Sequence, residues 1–398
     1  MEAEKRKLYI DWYLITVIAI LTAFGLVMVY SASFVEGYQD HDNMRYFFNR
    51  QLQFLLIGSV MFTFLMFFPY RHYQKLIIPI LFLCFALLIA VLIPGVGNTV
   101  NGATRWIQIG PFGLQASEFV KLGAIIYLSY IYSRKQAYIN SFLGGFMPPL
   151  IIVGGFFFLI MMQPDLGTGM SIVLVAILIA FFSGARYLHL FAIGSVAAGV
   201  MYWYANSEQY RLDRLIGFRT PFELEQTQGF QLVQSYIAIA HGGLTGAGLG
   251  NSVQKLFYLP EAHTDFILAI VSEELGFLGI VFLFSAILFL IGRGVLIGAR
   301  CKDAFGSLLA FGIVFQLSIQ IILNAGAVSG MLPITGIPFP FVSYGGSSLL
   351  VTMMSMGVLA NVSRRTEKDR QEKRGIPEQA KEEPAVSASA RTSYSYSK

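Results

Sequence analysis

ILAIVSEELGFLGIVFLFSAILFLI, residues 267–291, carries only two charges, Glu273 and Glu274. A helix needs about 20 apolar residues to cross a hydrocarbon core roughly 30 Å thick, and this run is long enough. Runs of similar length recur along the whole chain. Of 398 residues, 55% are hydrophobic and only 13% charged, about half the charged share of a soluble domain. So little charge cannot coat a water-soluble particle of this size. The sequence predicts an all-α polytopic membrane protein with about ten transmembrane helices. They fall at 11–31, 51–68, 76–93, 117–133, 143–162, 166–183, 187–205, 267–291, 305–327 and 344–362.

Orientation follows from Lys and Arg in the short loops. With the N-terminus inside, the inner segments hold Lys5, Arg6, Lys7, Arg71, Lys75, Arg134, Lys135, Arg186, Arg293, Arg300 and Lys302. The short outer loops hold only Arg45, Arg50 and Arg105. This asymmetry predicts a cytoplasmic segment 1–10, which leads into a signal anchor. It also predicts a membrane domain 11–362, an extracytoplasmic loop 206–266 between spans seven and eight, and a cytoplasmic tail 363–398. The tail is charged, then rich in Ser and Tyr, and reads as disordered. Cys84 and Cys301 are far apart and lack metal-ligand spacing. The net charge of +5 reports topology rather than nucleic-acid binding, because the positive residues form no binding face.

Chemically loaded residues crowd the outer side. Arg211, Arg214, Arg219 and Lys255 lie in the long outer loop against the charge rule. A glycine-rich stretch, His241 to Ser252, can either cradle phosphate with its N–H groups or permit tight re-entrant packing; the second reading is favoured. Asp265 stands where span eight begins. There it serves either as a partly desolvated base or as a helix-start acid. If Glu261–Asp265 is extended, Glu261, His263 and Asp265 line one side, as metal ligands would. Glu118 and Lys121, three apart on span four, form an ion pair or a substrate contact. Arg105 beside Trp106 anchors the interface or grips a phosphate. Asp165 reads as the N-cap of span six. At least one of Glu273 and Glu274 should face a cavity or a partner group. Pro333–Ser348, with three prolines and several glycines, reads as a rigid re-entry that includes Ser343.

Asn101–Ile107, Gln115–Lys121, Gln163–Thr168, Gly229–Ser252, Tyr258–Ala269 and Pro333–Ser348 together resemble the family of shape, elongation, division and sporulation proteins (FtsW, RodA, SpoVE). The resemblance runs through all ten spans in order. Asn251–Glu261 is nearest in wording to the FtsW branch, with SpoVE next. Ala116 departs from the proline of many members. The resemblance implies a peptidoglycan glycosyltransferase that polymerises lipid II at the outer face of the bacterial cell membrane. It implies a class B penicillin-binding protein, a transpeptidase, as partner, with other division proteins at the septum. The acid it marks as catalytic matches Asp265.

The expected chemistry is an inverting transfer. Asp265 takes the proton of the acceptor hydroxyl, alone or with a bound divalent cation (Mg or Mn), and undecaprenyl pyrophosphate leaves the donor. Arg105, Lys121, Arg211, Arg214 and Lys255 are candidate cations for the leaving group. Glu118, Glu261, His263 and Ser343 are further candidate substrate contacts. A lipid II flippase would want ionisable groups near mid-membrane, and a non-catalytic scaffold would not need the cluster at Asp265.

Overall fold

The computed structural model describes residues 9–374 apart from 101, 102, 111 and 208. The side chains of Arg211 and Arg214 also lie outside the described residues, as do most of the expected N-terminal segment and the tail beyond 374. The first seven helices are α1 (Trp12–His41), α2 (Tyr46–Phe67), α3 (Ile77–Leu92), α4 (Ala116–Lys135), α5 (Met147–Met161), α6 (Leu166–Phe182) and α7 (Tyr187–Ala205). Then follow α8 (Gln209–Arg219), α9 (Phe230–Gly242), α10 (Ile267–Arg300), α11 (Ala304–Val328) and α12 (Gly346–Arg374). The helices α1–α7 and α10–α12 overlap the expected spans. By length and composition alone, six helices among the described residues can cross a bilayer, and α3 and α6 are shorter apolar helices. The chain is a multi-pass membrane protein.

Local chemistry sets several helix starts. Asp11 accepts from Leu14 N (3.2 Å) at α1, Asp165 from Thr168 N (3.2 Å) at α6, and Asp303 from Gly306 N (3.3 Å) at α11. Each carboxylate satisfies an N–H that the helix leaves without a partner. Most residues of α4 and α11 are buried, whereas α7 has no buried residue among those described. The apolar part of α12, 346–362, is buried at all but two positions, so the bundle is centred on α4, α11 and α12, with α7 at its edge.

The helical fold class holds, and one expectation, the start of the tail, needs correction. The helices are joined by a small three-stranded antiparallel sheet in the order β1-β2-β3, built from β1 (Gly97–Val100), β2 (Ala103–Ile109) and β3 (Phe112–Gln115). The loop 206–266 contains α8 and α9. The tail is not disordered from residue 363, because α12 continues to Arg374. The polar extension of α12 carries the i,i+4 pairs Arg365–Asp369 (3.1 Å) and Lys368–Glu372 (3.6 Å), which support a solvated helix.

The helix α10 is broken at Gly276, whose φ of 64° and ψ of −162° suit glycine alone. The glycine-rich stretch fills the gap. Ala247 N donates to Glu273 O (2.9 Å), Gly248 N to Glu274 O (3.0 Å) and Phe277 N to Gly243 O (2.9 Å). The N–H groups of Ala247 and Gly248 are thus spent on α10 and do not cradle phosphate; the tight-packing reading fits this geometry.

Candidate active site

Phe266 is the N-cap of α10 and makes no side-chain bond. Asp265 therefore does not fill the helix-capping role open to an acid at this point. It is half-buried and lines a cavity of about 370 Å³ at the end of the bundle expected to face outward. Arg50 and Phe54 of α2 form one wall, and Trp106, Gln108 and Gln115 of the sheet form another. Tyr344 and the first turn of α12 complete it. The N-terminus of α12 brings the positive end of a helix dipole to the cavity.

The backbone around Asp265 is tied from several directions. Asn324 Nδ2, on α11, donates to both Asp265 O (2.7 Å) and Ile337 O (2.8 Å). Tyr344 N donates to His263 O (2.8 Å). Gly336 (φ +68°) crosses beside the carboxylate, where an added Cβ would lie 3.7 Å from Oδ2. On the far side, Ser347 Oγ accepts from Gln115 N (2.9 Å) and locks β3 onto α12.

The other candidates divide. Side chains alternate across β2, so Trp106 and Gln108 face the cavity while Arg105 points away. Arg105 donates to Gln163 O (3.1 Å) and Pro164 O and lies 4.0 Å from Asp165 Oδ1. Asp165 also accepts from Gln115 Nε2 and Ser117 Oγ, each at 3.1 Å. Glu118 and Lys121 form a buried pair at 2.7 Å, against Gln316 and Gln320 of α11, beside a cavity of only about 20 Å³. Lys255 is also away from Asp265. Its Nζ lies 2.6 Å from Glu274 Oε1 and 4.8 Å from the centre of the Phe34 ring. Ser31 Oγ donates to the same carboxylate (2.6 Å). Glu273 accepts from Ser252 Oγ and Val253 N (2.9 Å) and pairs with His241 (3.0 Å). Both acids of span eight thus face partner groups. Ser343 Oγ accepts from Phe339 N (2.8 Å) and braces the proline-rich loop.

The expected trio of metal ligands is not assembled. His263 is buried and turns to Glu36, with Nδ1 3.0 Å from Oε2 but without hydrogen-bond alignment. Among the described residues no group of three or more His, Cys, Asp or Glu is placed to hold a metal. Glu261 and Asp265 do share Thr264, whose Oγ1 is 2.8 Å from each carboxylate. An oxygen-only pair suits Mg²⁺ or Mn²⁺, because Mg²⁺ is held through one or two carboxylates with water and substrate phosphate completing its shell.

Arg50, Gln108, Asn324 and Tyr344 were not marked by the sequence reading as parts of the site. Arg50 did carry a signal, as one of three cations in short outer loops where few are expected. Its Nη1 donates to Tyr46 OH (2.9 Å). A larger cavity of about 800 Å³ between α5, α6 and α7 is walled almost wholly by apolar side chains and holds no carboxylate or cation.

Fold and site define a class: multi-pass helical membrane proteins with an acid-bearing polar cavity at one end of the bundle. Within it, the chain belongs to the FtsW, RodA and SpoVE family of cell cycle proteins, whose profile matches residues 11–368. It is 45% identical to stage V sporulation protein E of Bacillus subtilis (strain 168) over 360 residues, 89% of this chain and 97% of that one. It is 41% identical over 365 residues to the "Probable peptidoglycan glycosyltransferase FtsW" of the same organism, covering 89% and 90% of the two chains. A chain solved in a peptidoglycan synthase complex that coordinates polymerization and crosslinking superposes with a TM-score of 0.74 at 27% identity, over 90% of this chain and 99% of that one. The rod shape determining protein RodA of Thermus thermophilus shares the fold, with a TM-score of 0.64 at 24% identity over 90% of this chain and 97% of that one.

Proposed function

We propose that this chain is an inverting peptidoglycan glycosyltransferase that polymerises lipid II at the outer face of the bacterial cell membrane. The observation that carries the reading is Asp265: an acid on the wall of a polar cavity, fixed through its backbone and not used as a helix cap. The names of the FtsW relatives support the reaction class. The solved synthase complex supports a crosslinking partner, a class B penicillin-binding protein. Division proteins at the septum are further proposed partners, and both termini are proposed to be cytoplasmic from the Lys/Arg asymmetry.

In the reaction, Asp265 accepts the proton of the acceptor sugar hydroxyl. That oxygen bonds to the anomeric carbon of the lipid-linked donor as the bond to pyrophosphate breaks, and undecaprenyl pyrophosphate carries the electron pair away. Arg50 and the N-terminus of α12 meet the negative charge that develops. A divalent cation, when bound, would neutralise pyrophosphate charge, and Asp265 with Glu261 would hold it. Transport of lipid II is less well supported, because the polar cavity beside Lys121, at about 20 Å³, has room for about one water.

Asp265→Asn tests the proposal. The carboxamide keeps the size and the Thr264 contact but cannot act as a base. Lipid II polymer, read on a gel with matched amounts of folded protein, should fall by about 10²–10⁴-fold. Near-normal polymer would remove Asp265 from the mechanism.

A further inference from the structure

At the opposite end of the bundle, α2 stops at Phe67 while α12 runs on beyond the apolar core. Between them lies a cavity of about 260 Å³ lined by Phe67, Arg71, His72, Arg364, Arg365 and Lys368, with no carboxylate on its wall. Asp369 takes part of the charge from its rim, at 3.9 Å from Arg71 and 3.1 Å from Arg365, and Glu372 is 3.6 Å from Lys368. Asp303 also draws on the charge of Arg71, and four full cations against these three carboxylates still leave the cavity net positive. Arg364 has no acidic partner among the described residues: its guanidinium lies 4.7 Å from the centre of the Phe67 ring, and Nη1 is 3.5 Å from Met66 O.

The cavity is built rather than incidental. Asn361, buried in α12, accepts from Tyr70 N (2.9 Å) and donates to Met66 O (2.7 Å). This clamp joins the end of α2 and the turn after it to α12, and so fixes the arginines of the two segments around one space. Its position also matters. The floor includes Phe67 and Pro69, an apolar edge at the membrane boundary, and the cations stand just beyond it. Phosphate groups of bilayer lipids occupy that depth, and basic pockets between helices at a membrane surface match acidic headgroups.

We propose that this cavity binds the headgroup of an acidic phospholipid, with Arg364 and Arg365 on the phosphate and the acyl chains against α2. The leaflet follows the proposed orientation and is cytoplasmic; the binding chemistry does not depend on the glycosyltransferase reading.

The test is retention of phosphatidylglycerol by purified full-length protein in native mass spectrometry, with phosphatidylcholine as the neutral comparison. Wild-type protein should retain one phosphatidylglycerol in preference to phosphatidylcholine, and more weakly at high salt. Arg364→Gln with Arg365→Gln should weaken retention about 25-fold, at about fivefold for each charge lost near a membrane surface. Arg365→Lys keeps the charge and should keep most of the binding. Arg134→Gln with Lys135→Gln, at the same end of the bundle, should leave it intact. The thermal midpoint of each variant separates lost binding from lost folding. Equal retention of the two lipids, an equal loss in the Arg134/Lys135 variant, or displacement by millimolar inorganic phosphate would overturn the proposal. The last result would mark a free-anion site.

Discussion

Replacing Lys255 by methionine removes the positive end of a pair with 1% and 0% side-chain exposure, at a separation of 2.6 Å. The attraction at that distance is about 6 kcal/mol at an effective dielectric constant of about 20, and desolvation offsets much of it. What remains in Lys255→Met is Glu274, buried, with Ser31 still donating to it. Stranding one member of a buried pair typically costs about 3–5 kcal/mol, a large part of a total stability of about 5–15 kcal/mol. The thermal midpoint in detergent should fall by at least about 6 °C, at about 2 °C per kcal/mol. Adding Glu274→Leu removes the stranded charge, and the double variant should recover most of that loss. Polymerisation per folded molecule should recover with it, because Lys255 touches no part of the cavity at Asp265. Two results refute this: a single variant that keeps its midpoint and loses polymer, or a double variant that regains its midpoint without activity. Either would return Lys255 to the substrate.

The buried pair on α4 should behave in the same way: Lys121→Met lowers the thermal midpoint, and adding Glu118→Gln restores part of it, as read by unfolding in detergent. Gly276→Ala should destabilise by about 1–3 kcal/mol, because the new Cβ enters a left-handed position 2.7 Å from Leu244 O; an unchanged midpoint would contradict the helix break. Burial raises the thiol pKa of Cys301 above its ordinary value, so its thiolate is scarcer at neutral pH than that of an exposed cysteine. Maleimide labelling of Cys301 should be slow at pH 7 and rise about tenfold per pH unit, while an impermeant reagent in intact cells should reach Ser207→Cys and not Cys301.

The spans were legible because apolar length is a local property. The pairing of Glu118 with Lys121 and the cap at Asp165 were legible for the same reason, since their partners are three residues away. The partner of Lys255 is not local: Glu274 is 19 residues along and Ser31 is 224 residues back. No periodicity connects them, and an outer-loop lysine read in isolation looks available to substrate. The sheet was missed because its strands are short and bounded by glycine. Its signal was the alternation in Trp106-Ile107-Gln108-Ile109 before the turn at Gly110, and the face it assigns to Trp106 and Gln108 is the one that lines the cavity. The same alternation puts Arg105 on the opposite face.

The structure also separates two uses of charge that sequence spacing could not. Inside the bundle, Glu118, Glu274 and Glu273 are each closed by a cation, a hydroxyl or a backbone N–H, as low dielectric demands. Asp11 and Asp165 spend oxygens on helix starts. These acids hold helices to helices. The segment with Asp265 is held differently, through its main chain: the carbonyl of Asp265 is fixed by Asn324, and that of His263 by Tyr344. Fixing the backbone places the carboxylate without enclosing it, so it can border a cavity large enough for a sugar while its position is set by α11 and the proline-rich loop. A carboxylate placed this way needs little reorganisation as charge moves. Substituting Asn324 should therefore lower activity through the position of Asp265.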